Sequence, residues 1–130
     1  FFELNKIQIT FESDYSPEDL KRFIDNFDPN LFGINYDIGN SAYLGFDPKE
    51  EFKAYGKRIL NVHVKDRPFK GTTVPLGEGD ADLTGVFRLL EEYSYTGNYI
   101  LQTARSYSEQ HKLALKAFHK YTKDLILSSC

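Results

Sequence analysis

Ile59-Leu60-Asn61-Val62-His63-Val64-Lys65-Asp66-Arg67 is the stretch on which the fold turns. It begins apolar and ends with four ionisable groups within five residues. As a strand over 59–65 it sends Leu60, Val62 and Val64 to one face and Asn61, His63 and Lys65 to the other. The first face suits packing against helices. The second carries an imidazole and an ammonium, which an apolar core rejects unless they are paired. A barrel strand whose inner face turns polar at its C-terminal rim fits this pattern.

The flanking segments extend it. Residues 4–12 read as a strand, with Ile7, Ile9 and Phe11 opposite Gln8, Thr10 and Glu12. Ser16-Pro17-Glu18-Asp19 is a helix start: serine cap, proline in the first turn, acids behind it. Leu20, Phe23, Ile24 and Phe27 form its apolar stripe, and Asp28-Pro29-Asn30 ends it. In a second strand over 31–37, Phe32, Ile34 and Tyr36 alternate with Gly33, Asn35 and Asp37. Gly39, Asn40 and Ser41 read as a loop, and Asp47-Pro48 opens another short helix, stopped at Gly56. After the third strand, 66–81 reads as a long connection, where function or mobility is expected. Asp82 caps a helix with the stripe Leu83, Val86, Phe87 and Leu90. A fourth strand over 99–103 precedes a last helix, capped by Ser106 or Ser108, with Leu113, Ala117, Tyr121 and Leu125 as its stripe.

The order is strand then helix, four times, which implies parallel strands with right-handed crossovers. A doubly wound sheet is the alternative, but its central strands should be apolar on both faces. Here all four carry polar residues on one face, so the expected class is α/β, half of a (β/α)8 barrel, with residues 1–130 as a single domain. Such barrels take roughly 250 residues, and this chain has 130, no methionine, and begins Phe1-Phe2. The expectation is the C-terminal part of a longer protein, or a half-barrel that pairs with another copy as a homo-oligomer.

Bulk properties narrow the function. A net charge of -3 argues against nucleic acid or an anionic membrane as partner. The single cysteine, Cys130, permits no internal disulfide, so a reducing, cytoplasmic location is expected. No apolar run is long enough to span a bilayer.

The last inward residue of each strand is Glu12, Asp37, His63 and Gln102. At the C-terminal rim of a barrel, four such donors from neighbouring strands can surround one divalent cation. Carboxylate, imidazole and amide oxygen suit Mn²⁺, Mg²⁺, Co²⁺ or Zn²⁺ alike. Asn40, Lys65, Arg67 and Arg105 lie where they can bind the hydroxyls or phosphate of a substrate. Gly77-Glu78-Gly79 is a weak phosphate-cradle motif that a simple turn explains equally well.

Thr10-Phe11-Glu12, Asn35-Tyr36-Asp37-Ile38-Gly39-Asn40, Val62-His63-Val64-Lys65-Asp66 and Pro75-Leu76-Gly77-Glu78-Gly79-Asp80 together resemble the xylose-isomerase-like TIM-barrel superfamily. The likeness is to its sugar and sugar-phosphate isomerases and epimerases, including the tagatose-epimerase-like enzymes, over the last four βα units. It implies one metal held by Glu, Asp, His and Glu, with the two glutamates as catalytic acid/base groups. Glu12, Asp37 and His63 match; Gln102 departs, standing at the second catalytic position. An amide is no base, so the resemblance implies isomerisation with Glu12 as the one base, or Lys65 as a substitute partner. The competing expectation is a non-catalytic carbohydrate-binding or structural half-barrel that has lost a base. A DNA-repair endonuclease of the same superfamily would want more histidines and a basic groove.

Overall fold

A computed structural model describes residues 7–106 and 108–129. Four parallel strands form one sheet in the order β1 (Ile9–Phe11), β2 (Phe32–Asp37), β3 (Ile59–Val64), β4 (Asn98–Leu101). The expected start of the first strand, at residues 4–6, lies outside the described residues. Spatial order equals sequence order, so there is no reversal of winding and the doubly wound alternative fails. Right-handed crossovers that always step the same way leave every helix on one face. Accordingly α1 (Pro17–Ile24) packs on α3 (Pro48–Tyr55), α3 on α4 (Leu83–Glu92), and α4 on α5 (His111–Ser129). This is a barrel wall of four βα units.

The core lies between sheet and helices. Ile34, Tyr36, Ile59, Val62 and Val64 meet Leu20, Ile24, Phe52, Val86, Phe87 and Leu90 there, all buried. The helices start where side-chain caps predict: Ser16 accepts from the Asp19 N–H, Asp47 from Lys49, and Asp82 from Gly85. No helix of the described residues is long and apolar enough to cross a membrane.

Four local readings are corrected. Gly39, Asn40 and Ser41 are not loop but part of α2 (Ile38–Leu44). Asp37 ends β2 and caps this helix at once, accepting the Asn40 N–H at 2.8 Å; Gly45, at φ 74°, closes it. Leu60 does not share a face with Val62 and Val64. The register of β2 and β3 slips between Ile34 and Asn35, so Ile34 pairs with Ile59 but Asn35 with Asn61. That bulge puts Ile59 in the core and lays Leu60 over Gly33, where a Cβ would collide with it. The last helix starts at His111, because the Ser106 hydroxyl instead accepts the Ser108 N–H in a turn. Of its expected stripe Leu125 packs, beside Phe118, Thr122 and Ile126, while Leu113, Ala117 and Tyr121 are exposed.

The connection after β3 is pinned rather than loose. Asp66 is fully buried and accepts the N–H groups of Gly77, Gly79 and Ala81 at 2.8, 3.0 and 3.2 Å. Those amides are therefore committed to Asp66, and the phosphate-cradle reading of Gly77-Glu78-Gly79 is set aside. A Cβ on Gly79 would overlap the Asp66 carboxylate, so glycine is what lets the loop close around it.

Candidate metal centre

On the face away from the helices, register places Asp37 beside His63 and Asn35 beside Asn61. Glu12 follows directly after β1, whose Phe11 pairs with Ile34, so it reaches the same rim. Glu12, Asp37 and His63 each offer one ligand atom, all within 4.8 Å of one another. His63 Nδ1 is 3.5 Å from Glu12 Oε2 and 3.6 Å from Asp37 Oδ2. Two donors bound to one ion through bonds of about 2.1 Å stand roughly 3–4 Å apart, so this donor set fits a divalent cation. The Asp37 side chain is 1% exposed, His63 19% and Glu12 40%, so the cluster is anchored at one side and open at the other.

Neighbours orient these groups. Asn61 donates to Asn35 Oδ1 at 2.7 Å, and Asn35 Nδ2 donates to Glu12 Oε2 at 2.6 Å. The same Nδ2 lies 3.3 and 3.2 Å from the two ring nitrogens of His63. Asn40 Nδ2 donates to the other oxygen of Glu12 at 3.0 Å. The whole Glu12 carboxylate is thus held by two amides. Asn35 and Asn61 were not singled out from the sequence as site residues, although each lies two positions before a candidate ligand and so on the same strand face.

Lys65 Nζ stands between two expected ligands, donating to Asp37 Oδ2 at 3.3 Å and Gln102 Oε1 at 3.1 Å, and also to Asn40 Oδ1 at 3.2 Å. Gln102 continues the sheet pairing, its N–H donating to the Val64 carbonyl at 3.1 Å. Its side-chain oxygen and Asp37 Oδ2 thus accept from the same ammonium. Arg67 is fixed by the Gly71 carbonyl at 3.0 Å, by Asn40 Oδ1 at 2.9 Å, and by the Tyr43 ring 3.9 Å from its Cζ. Arg105 is exposed and lines an open groove with Lys65, Thr72, Thr73 and Gln102.

The Lys65 stem crosses Gly39, where an added Cβ would stand 2.6 Å from Lys65 Cγ. Gly39→Ala is therefore expected to push Lys65 off Asp37 and Gln102 while leaving the fold intact. The check is a crystal structure of the variant: Lys65 Nζ moves out of hydrogen-bonding range of both.

Beyond the rim lies a second polar group that sequence reading missed. Glu51 of α3 is buried, and its carboxylate accepts the hydroxyls of Tyr36, Ser41 and Tyr55. Burial pushes Glu51 up from the ordinary glutamate range, against the pull of its three donors. Burial, followed by the facing carboxylate, pushes both tyrosines up as well, so they remain hydroxyl donors.

A one-sided parallel sheet with a carboxylate–carboxylate–imidazole cluster at its C-terminal rim is part of the wall of a (β/α) barrel. The chain belongs to the xylose isomerase-like TIM barrel family, whose model matches residues 6–123. Inosose dehydratases from Geobacillus kaustophilus (strain HTA426) and Clostridium perfringens (strain 13 / Type A) are each 29% identical to it. The matches cover 72% and 82% of this chain but 36% and 42% of those relatives. The chain thus spans less than half their length. Among solved structures, a xylose isomerase domain protein from Planctomyces limnophilus matches with a TM-score of 0.75 at 21% identity, over 91% of this chain and 46% of that one. A D-tagatose 3-epimerase-like protein matches with a TM-score of 0.68 at 24% identity, over 95% and 51%.

Proposed function

We propose that this chain supplies the catalytic half of a (β/α)8 barrel that isomerises a sugar or sugar phosphate by proton transfer through an enediolate. The observation that carries the reading is the convergence of Glu12, Asp37 and His63 donors within 4.8 Å at the rim. Those three side chains would hold a divalent metal, with Gln102 as a neutral fourth donor on the Lys65 side. The ion would supply a Lewis acid for the substrate's carbonyl and hydroxyl oxygens.

The protein's own groups do the rest. Glu12 faces the open side and takes the proton from the carbon next to the carbonyl, then returns it to the neighbouring carbon on the same face. Asn35 and Asn40 hold both of its oxygens in place for that transfer. Lys65 presents a positive charge where oxygen becomes negative, beside Asp37 and Gln102. Arg67, with Asn40, binds substrate hydroxyls from a locked position, and Arg105 is free to meet a more distant group across the groove. Because Gln102 cannot accept a proton, one-base isomerisation is favoured over epimerisation, which needs a base on each face.

The name of the inosose dehydratase relatives favours a second reading, in which water is lost after the same proton removal. Incubating the complete barrel protein with Mn²⁺ and a ketose or its phosphate in D₂O separates the readings. Isomerisation places deuterium at C1 or C2, and Glu12→Gln lowers that exchange by about 10²–10⁴-fold. Exchange at C3 contradicts isomerisation and points to epimerisation. A rising ultraviolet absorbance from a conjugated carbonyl points to dehydration. No exchange at any carbon leaves a carbohydrate-binding barrel, and turnover gained by Gln102→Glu would then mark a lost base.

A further inference from the structure

Glu51 has no role in the chemistry above, yet it is an unusual way to fill a core. It is 2% exposed, and among the described residues no cation pairs with it. A leucine would fill similar volume without desolvating a carboxylate. Its three partners come from three different elements. Tyr36 of β2 donates to Oε2 at 2.7 Å, Ser41 of α2 to Oε2 at 2.5 Å, and Tyr55 of α3 to Oε1 at 2.8 Å.

The element most in need of such a tie is α2. Seven residues are too few for a helix to persist alone, so its placement depends on tertiary anchors. Its first half is tied by the Asp37 cap, the burial of Ile38, and the bond from Ser41 to Glu51, and its far end by the Lys70 N–H on the Tyr43 carbonyl and by Arg67 over the Tyr43 ring. Asn40 sits between the first and the third. Its side chain donates to Glu12 and accepts from both Lys65 and Arg67. A small rotation of α2 would therefore break contacts to three proposed site residues together. The Glu51 network and the rim residues Glu12, Asn35, Asp37 and Asn40 also line one cavity of about 20 Å³, enough for one water.

We propose that Glu51 is a positioning residue: through Ser41 it fixes the rotation of α2 and so places Asn40 against Glu12, Lys65 and Arg67. Its functional consequence rests on the site proposed above, but its geometry does not.

Side-chain amide NMR of the chain tests it without metal or turnover. In Glu51→Leu, the two Asn40 side-chain N–H peaks move toward those of a free asparagine amide. In Glu51→Gln, which keeps an acceptor oxygen and the shape, they stay near the wild-type position. Ser41→Ala cuts the same link with one atom removed, moves the peaks in the Leu direction, and decides the matter if Glu51→Leu does not fold. Backbone peaks of Gly77, Gly79 and Ala81, tied to Asp66, stay fixed in every folded variant. Unmoved Asn40 peaks in folded Glu51→Leu or Ser41→Ala would overturn the proposal. Failure of the chain to bind metal would instead strike the proposed function and leave this result standing.

Discussion

Replacing His63 with alanine is expected to weaken binding of Co²⁺ to the chain by more than about 100-fold. Losing a hydrogen-bond partner behind a ligand costs about 10–100-fold at metal sites, and His63 is proposed as a direct ligand. The imidazole stands 3.5 and 3.6 Å from the nearest oxygens of Glu12 and Asp37 and is the one nitrogen donor of the cluster. Without it two carboxylates remain, one fully buried and hydrogen-bonded to Asn40 and Lys65, the other open to water. The fold should survive, because His63 faces the open side of β3 while Val62 and Val64 hold the strand to the helices. Titration followed through the visible Co²⁺ bands measures the loss, with circular dichroism confirming the fold. An unchanged affinity would remove His63 from the site.

The largest effect on stability is expected at Asp66. In Asp66→Ala three backbone N–H groups of a half-exposed loop lose their buried acceptor. Each unsatisfied donor costs about 1–3 kcal/mol, but part of the loop can open to water, so a total near 3 kcal/mol is expected. For a chain of this size that is a fall in Tm of about 10 °C. Arg67 follows Asp66 directly and the Asp80 N–H donates to its carbonyl at 3.1 Å, so the loosened loop should also free Arg67 from Asn40. Urea unfolding of the variant and hydrogen exchange at Gly77, Gly79 and Ala81 check the first effect, and the Arg67 side-chain N–H peaks check the second. A destabilisation below about 1 kcal/mol would mean that the loop finds other acceptors.

These two residues illustrate what was legible in the chain. Strand period put His63 on the polar face and, with Glu12 and Asp37, predicted the cluster that the fold assembles. Consecutive βα units predicted the one-sided sheet. Asp66 was read only as the first residue of a long connection. Its actual task, folding a distant loop by its backbone amides, leaves no periodic signal. The bulge at Leu60 was hidden for a related reason: one extra residue inverts the facing only locally, and the alternation after it reads normally. The helix α2 was missed because Gly39, Asn40 and Ser41 have loop propensities, while the cap that starts it is a residue already assigned to a strand. The stripe of α5 was misplaced before Leu125 because apolar residues stand at both phases, Leu113 and Tyr121 beside Phe118 and Ile126. Glu51 lies at a helical position where an acid after Asp-Pro is read as a dipole partner. Only the tertiary meeting of Tyr36, Ser41 and Tyr55 turns it into a buried node.

Anomalous scattering from crystals of the chain grown with Mn²⁺ bears most directly on the central claim, that one ion is shared by residues from three neighbouring strands. A single strong peak between the side chains of Glu12, Asp37 and His63 is the predicted result. A map with no peak there, or with manganese bound only at surface carboxylates such as Asp25 or Asp124, would contradict it.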